Sequence, residues 1–150
     1  PQGAPVSQAD KPGGQLHDDV APRPHDHRIT KSVPSVFGGT DLAEWIANNR
    51  IDTLTIAGYM TQNCDASTVY EAMHRGLQVE FLADATGAPA YANAAGRASA
   101  EEIHRVFCVV LHSNFAAVCS TDAWIDAPQG GQPLPKDNVV MPSRRARGLV

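Results

Sequence analysis

The chain has 150 residues, of which 43% are hydrophobic and 19% charged, and its formal net charge is −4 at pH 7. This length suffices for one domain with a buried core, and the acidic balance excludes an electrostatic case for nucleic acid or an anionic membrane as partner. No apolar run approaches the roughly 20 residues of a membrane span, so we expect a single domain over residues 1–150 and no membrane segment.

The cysteine usage indicates a reducing compartment. The three cysteines, Cys64, Cys108 and Cys119, are an odd number without paired spacing. Such usage does not indicate a disulfide framework. The sequence also begins without a basic and apolar leader, and we therefore expect a cytoplasmic location.

The first elements in chain order are irregular or short. Residues 1–26 are rich in Pro, Gly, Asp and His without a periodicity of 2 or 3.6, which predicts an irregular N-terminal segment lying over a surface. The next residues, HRITK (27–31), are a candidate strand. A helix is predicted over DLAEWIANN (41–49), with Thr40 as its N-cap and apolar residues spaced by three and four.

Three apolar runs predict the strands of a parallel sheet, because near-continuous apolar stretches are typical of strands covered on both faces. They are IDTLTIAG (51–58), LQVEFLADA (77–85) and AAVCST (116–121). A helix is predicted between the first two, over 63–75, with Gly76 as its C-terminal cap. A second helix follows the capping box that Ser99 and Glu102 form.

The second helix carries an apolar face that we expect to be buried. Its members are Ile103, Val106, Phe107, Val110 and Leu111. After the last strand, TDAWIDA (121–127) is predicted to form a short helix or turn, and residues 128–150 an extended tail, poorly ordered or reaching toward a partner subunit. Strands that alternate with helices predict an α/β domain, in which ligands bind beyond the carboxyl ends of the strands.

Cys64 lies at that edge, where GYMTQNC (58–64) leads from a strand into a helix. A helix N-terminus favours the thiolate, which is the nucleophilic form, and its free amide N–H groups can stabilise a developing oxyanion. Spacing alone leaves a second interpretation open, in which Cys64 is a packed small residue and Asn63 or Thr61 caps the helix. For Cys108 and Cys119, inside a helix and a strand, a structural role is predicted.

The run TLTIAGYMTQNCDASTVYEAMHRGLQVEFLADATG (53–87) resembles the isochorismatase-like cysteine hydrolase superfamily. The family signature has an apolar strand, G-x-x-T-x-x-C, a helix of small residues, a glycine, a second apolar strand and D-A. These places are filled by Gly58, Thr61, Cys64, Thr68, Ala72, Gly76, Asp84 and Ala85. RITKSVPSVFGGTDL (28–42) looks like the family's lysine segment, with Lys31, and 99–121 fits its closing helix and strand, so that the resemblance covers about 28–126.

The resemblance implies a three-layer αβα sandwich with a mainly parallel Rossmann-like sheet. It also implies a reaction, in which Cys64 attacks a carbonyl carbon and Lys31 stabilises the thiolate and orients the substrate. The N–H groups of Met60 and Cys64 would bind the oxyanion, and a cis peptide would fall between Tyr59 and Met60. Retention of the cysteine favours cleavage of a carbon–nitrogen bond in an amide, ureide or imide, through a thioester and without a cofactor.

A substrate pocket lined by Tyr59, Phe37 and Thr61 is expected from their places around this turn. The expected partners are a small-molecule substrate and further copies of the chain, in a homodimer or homotetramer joined through the tail. No metal site is predicted. His17, His25 and His27 are available, but a lone H-x-H in a Pro-rich loop is more typical of a surface feature.

Two parts of the family pattern are not found. The family's aspartate base ends its first strand, and no apolar strand ending in Asp precedes Lys31. In the family order 3-2-1-4-5-6, HRITK would be strand 3 and 51–58 strand 4, so strands 1 and 2 are missing. Three explanations follow, in order of preference: the natural chain extends upstream, strand 3 pairs directly with strand 4 in a short paralogue, or a partner supplies the strands. A non-catalytic member that keeps the fold for assembly or ligand binding is the alternative function.

Overall fold

The computed structural model describes residues 14–127 and 134–149, which contain five strands and five α-helices. The strands are β1 (Thr53–Tyr59), β2 (Gln78–Gly87), β3 (Tyr91–Asn93), β4 (Gly96–Ala98) and β5 (Ala117–Cys119). The helices are α1 (Leu42–Asn48), α2 (Ala66–His74), α3 (Ala100–His112), α4 (Thr121–Ile125) and α5 (Val140–Ala146). A π-helical turn, Thr61–Asp65, connects β1 to α2.

The main sheet is parallel, with the order β1-β2-β5. Leu54 pairs with Val79 across β1 and β2, and Phe81 pairs with Val118 across β2 and β5. The three strands are those predicted from the apolar runs, and their order matches strands 4, 5 and 6 of the expected fold. The α/β prediction is confirmed.

Helices flank this sheet on both faces. Val79 and Phe81 point to one face, where they join a core that α2 and α3 complete. The core consists of Phe37, Ile46, Val69, Ala72, Val79, Phe81, Leu111 and Ala116. Glu80 lies between Val79 and Phe81 and therefore points to the opposite face, where it accepts a hydrogen bond from Trp124 of α4 at 2.7 Å.

Two strand predictions need correction. β1 is not covered on both faces, since Thr55, Ala57 and Tyr59 are exposed. The segment 27–31 forms no strand. A short segment forms strand hydrogen bonds only where it lies beside the edge of another strand. In this segment, Lys31 directs its side chain toward the turn after β1. Among the described residues β1 pairs with β2 alone.

The helix boundaries largely follow the predicted signals. The capping box of Ser99 and Glu102 is present at the start of α3. The helix α1 begins after Asp41, and the Thr40 hydroxyl, which donates to the carbonyl of Val36 at 2.5 Å, also accepts from the N–H of Leu42 at 3.4 Å. Gly76 follows α2 with φ of 85°, a conformation that favours glycine and ends the helix as predicted.

The apolar face of α3 is only partly buried. Leu111 is fully buried, but Val106 and Val110 are 47% and 40% exposed. Within the described residues no helix is long and apolar enough to cross a bilayer, and α3, with 13 residues, is the longest.

The tail differs from the extended arm that was predicted. Residues 128–133 and 150 lie outside the described residues, but α5 is helical. The side-chain carbonyl of Asn138 accepts hydrogen bonds from the N–H groups of Val140 and Met141 at 3.0 Å each, which satisfies two donors at the start of the helix. At the other end of the chain, 14–26 contains turns and no strand or α-helix, whereas 1–13 lies outside the description.

The hairpin of β3 and β4 was not predicted. These antiparallel strands have three residues each, too few to show an alternation. The side chain of Asn93 accepts a hydrogen bond from the N–H of Ala95 at 2.9 Å and shapes the connecting turn. The hairpin lies beside the turn that carries Cys64, since Tyr91 bonds to Gln62.

Candidate functional site

The turn between β1 and α2 presents Cys64 at the carboxyl end of β1. The strand ends in a cis peptide bond between Tyr59 and Met60, which confirms that prediction. The N–H of Asp65 then donates to the carbonyl of Met60 at 3.2 Å and closes the π-helical turn. Cys64 is a free, half-buried thiol within this turn.

Lys31 lies directly against this thiol, at the position that the family resemblance implies. Its ammonium nitrogen, Nζ, is 3.2 Å from Cys64 Sγ. The same nitrogen donates to the carbonyls of Val33 at 3.1 Å and Pro34 at 2.9 Å. Because an ammonium has three N–H donors, these contacts give each proton an acceptor and fix the charge beside the sulfur. A thiolate at this position would be stabilised by a charge-assisted contact.

Thr68 connects the turn to the lysine segment. Its hydroxyl, in a side chain only 3% exposed, donates to the carbonyl of Cys64 at 2.7 Å and accepts from the N–H of Val36 at 3.3 Å. One buried group therefore holds both halves of the site. This contact gives a physical reason for the threonine in the signature.

Asp65 is a functional candidate that sequence reasoning did not identify. The residue is 6% exposed, and among the described residues its Oδ2 atom is buried without a hydrogen-bond partner. Burial raises the pKa of this carboxyl from 3.8 to about 6, while the positive charge of Lys31 opposes the rise. Only its place next to Cys64 could have drawn attention to it. In contrast, Asp18, Asp19 and Asp26 are exposed.

His104 is a second candidate residue that the sequence analysis did not single out, and it is half-buried on α3. A hydrogen bond of 2.9 Å joins its Nδ1 to the hydroxyl of Thr61, the first residue of the π-helical turn. Its Nε2 lies 3.6 Å from Sγ of Cys108, one helical turn further along α3. Burial raises the pKa of the Cys108 thiol and, together with nearby carboxylates, that of Cys119.

The three predicted pocket residues are placed differently. Tyr59 is 63% exposed at the end of β1. Phe37 is 5% exposed in the core, with the guanidinium of Arg75 4.9 Å above its ring, and Thr61 is fully buried. Burial in the core stabilises the apolar side chain of Phe37 more than a solvated cleft would. The hydroxyl of Thr61 is already hydrogen-bonded to His104. Of the three predicted pocket residues, only Tyr59 is therefore open to solvent.

A concave surface of about 380 Å³ lies between the hairpin and α3. Gln62 connects it to the π-helical turn, and its side-chain nitrogen donates to the hydroxyl of Tyr91 at 2.8 Å. Arg97 supplies a positive charge to the rim, and Ile103 and Phe107 supply an apolar wall. Sequence reasoning did not find this surface, because it depends on the unpredicted hairpin.

The histidines of the N-terminal segment do not converge. His27 Nε2 lies 2.9 Å from the Asp41 carboxylate, and its ring stacks on Trp45 with centroids 5.1 Å apart. His17 contacts Asp19 at 3.4 Å. Within residues 14–127 and 134–149, no group of three His, Cys, Asp or Glu side chains could hold a metal ion.

Known structures share this architecture. That of a candidate isochorismatase from Burkholderia xenovorans LB400 superposes with a TM-score of 0.94 at 57% identity, covering 99% of this chain and 71% of that one. An uncharacterised isochorismatase family protein of Bacillus subtilis, YrdC, is 31% identical over 121 residues, or 76% of this chain and 62% of YrdC. N-carbamoylsarcosine amidase of an Arthrobacter species is 36% identical over 70 residues, 47% of this chain and 26% of the amidase.

The chain therefore spans less than two thirds of the Bacillus relative and about a quarter of the amidase. The family model of the isochorismatase domain matches residues 2–123, which include Lys31, Cys64 and His104. The match and the superposition agree with the α/β fold and its parallel sheet. This chain belongs to the isochorismatase family.

Proposed function

We propose that the protein is a cysteine hydrolase that cleaves a carbon–nitrogen bond of a small amide, ureide or imide through a thioester on Cys64. The observation that carries this proposal is the distance of 3.2 Å between Lys31 Nζ and Cys64 Sγ. A structural cysteine needs no fixed ammonium, whereas a nucleophilic thiolate is stabilised by one. The similarity to an amidase that acts on N-carbamoylsarcosine supports the choice of bond.

The reaction follows from the ammonium and the thiolate. The sulfur of Cys64 attacks the carbonyl carbon, and a carbon–sulfur bond replaces the carbon–nitrogen bond. The departing nitrogen takes a proton from the ammonium of Lys31, so that the lysine side chain becomes a neutral amine. Water then attacks the thioester carbon and gives one proton to the neutral amine of Lys31. A carboxylic acid leaves, and the thiolate of Cys64 and the ammonium of Lys31 are restored.

The oxyanion of each tetrahedral intermediate needs donors. We propose the N–H groups of Met60 and Cys64, because the first residues of a helical turn leave N–H groups without partners inside the helix. The bond from Asp65 to Met60 fixes the turn from which these groups would point. Each such donor is worth on the order of 3 kcal/mol in other hydrolases.

The substrate-binding surface that we propose extends from Tyr59 to the hairpin. Within it, the concave surface between the hairpin and α3 has a volume of about 380 Å³, which suits a small molecule, and its lining combines the apolar Ile103 and Phe107 with the polar Gln62 and Tyr91. We expect no cofactor, since a thiolate and an ammonium suffice for the chemistry.

The test is hydrolysis of a substrate panel followed by ammonia or amine release. N-carbamoyl amino acids, primary amides and cyclic imides are compared on the wild type, Cys64→Ala and the matched control Cys119→Ala. We expect turnover that Cys64→Ala abolishes and Cys119→Ala retains, with a transient acyl mass on Cys64. Hydrolysis that persists in Cys64→Ala would contradict the proposal. A complete absence of turnover and of acyl mass would favour a non-catalytic member.

We further propose that the protein forms a homodimer or homotetramer. Val106, Val109 and Val110 form an exposed apolar strip on α3, and burial of such a strip favours association. Light scattering during size exclusion tests this, and a monomer at micromolar concentration would contradict it. The cytoplasmic location stays a prediction from the sequence.

A further inference from the structure

The hydrogen bond between Thr61 and His104 links the turn that carries Cys64 to α3. Thr61 has no exposed surface, and its hydroxyl lies 2.9 Å from His104 Nδ1. The bond is part-buried, with its hydroxyl end inside the protein, and its loss therefore has a larger effect than at a fully exposed site. Cys64 follows Thr61 by three residues within the same short turn.

The imidazole of His104 is held from both sides. Its second nitrogen, Nε2, lies 3.6 Å from Sγ of Cys108 on the same helix. The backbone that carries the ring is also well fixed, since the capping box satisfies the start of α3 and Leu111 is fully buried near its end. The ring can therefore act as a fixed reference point for the turn.

The turn has a matching attachment on its other side. The Thr68 hydroxyl donates to the carbonyl of Cys64 at 2.7 Å. Thr61 and Thr68 thus hold the turn from α3 and from α2, before and after the nucleophile. An attachment on one side alone would leave the turn free to rotate about that point, whereas two attachments fix its orientation.

We propose that His104 is a positioning residue that holds Cys64 in its reactive orientation through Thr61. Its hydrogen-bond partners are Thr61 and Cys108, and it does not line the concave surface that we assign to substrate. This role rests on the proposed function of Cys64. The imidazole acts by keeping the sulfur within reach of Lys31 Nζ and the turn amides aimed at the carbonyl oxygen.

Variants at both ends of the bond test this role. Thr61→Val removes the bond with little change of volume and His104→Phe removes it with a somewhat larger ring, while Thr61→Ser and His104→Asn keep a polar partner in place. His74→Phe, at the exposed end of α2, is the matched control. The readouts are the rate at which iodoacetamide modifies Cys64 in the folded protein and the free energy of unfolding.

We expect Thr61→Val and His104→Phe each to slow the modification of Cys64 by about threefold to tenfold, the range for one buried hydrogen bond. The double variant should be no slower than either single variant, because both remove the same bond. The serine and asparagine variants should recover most of the rate, and His74→Phe should match the wild type. If Thr61→Val does not fold, the modification rates of Cys64 in His104→Phe and in His104→Asn are compared to test the role of His104.

Two results would overturn the role of His104. One is a loss of stability without any change in the modification rate of folded protein, which a purely structural bond would give. The other is a double variant whose effect is the product of the single effects. Hydrogen exchange at the Asp65 amide, which bonds to Met60, separates this proposal from the proposed function. Faster exchange in both single variants supports the positioning role even where Cys64 proves unreactive.

Discussion

The buried carboxyl of Asp65 predicts an unusual dependence of stability on pH. Asp65→Asn replaces the carboxyl by a neutral group of the same shape, and therefore removes its ionisation without opening a cavity. In the folded protein this pKa is raised to about 6, whereas the ordinary value is 3.8. The asparagine amide is also buried, but its effect on stability does not vary with pH.

The sign of the effect follows from proton binding. Between the two pKa values the folded state holds a proton that the unfolded state has lost, so stability falls as pH rises from below 3.8 and through about 6. Above that range the ionised carboxyl costs about 2 to 3 kcal/mol, since each pKa unit corresponds to about 1.4 kcal/mol. The stability of Asp65→Asn relative to the wild type should therefore rise by about 2 kcal/mol between about pH 4 and about pH 7.5.

Urea unfolding at several pH values measures this difference. Asp26→Asn is the matched control, because Asp26 is an exposed carboxyl of the N-terminal segment. The free energy of unfolding of the control should depend on pH as that of the wild type does. In Asp65→Asn, the fall in the free energy of unfolding between the two pKa values should be absent. If the free energy of unfolding of the wild type and of Asp65→Asn changed with pH in parallel across this range, the reasoning would be refuted.

Two further predictions concern groups that fix the site. Thr68→Val leaves the carbonyl of Cys64 and the N–H of Val36 without this hydroxyl. We expect the free energy of unfolding in urea to fall by about 2 kcal/mol, a loss that Thr68→Ser should largely avoid. Equal stability of the two variants would contradict this. Ser99→Ala removes the capping box of α3, and we expect about 1 kcal/mol of destabilisation by thermal unfolding relative to the exposed control Ser143→Ala. An unchanged melting temperature would show that the cap adds nothing.

The apolar runs were enough to predict the sheet. β1, β2 and β5 are short runs rich in β-branched and apolar residues, a composition that favours strands. The capping box of α3 and the glycine after α2 were also local signals. The segment 27–31 was different, because a strand depends on a partner edge that its own sequence does not specify.

The site was predictable where one short segment encodes it. The turn from Tyr59 to Cys64 and its lysine partner carry a pattern that the family resemblance makes specific. Asp65 and His104 were missed, because their importance comes from burial and from contacts between elements distant in sequence. Phe37 was misplaced for the same reason, since an aromatic residue suits a cleft and a core equally well until packing is known.

The reactivity of Cys64 toward iodoacetamide at about pH 7 tests the central claim most directly. With Lys31 Nζ at 3.2 Å, Cys64 should react faster than Cys108, Cys119 and the same thiol in unfolded protein. Lys31→Gln should slow the reaction by about tenfold, as expected for loss of one charge near a partly exposed sulfur. A rate for Cys64 no faster than in the unfolded chain, and unaffected by Lys31→Gln, would contradict the account.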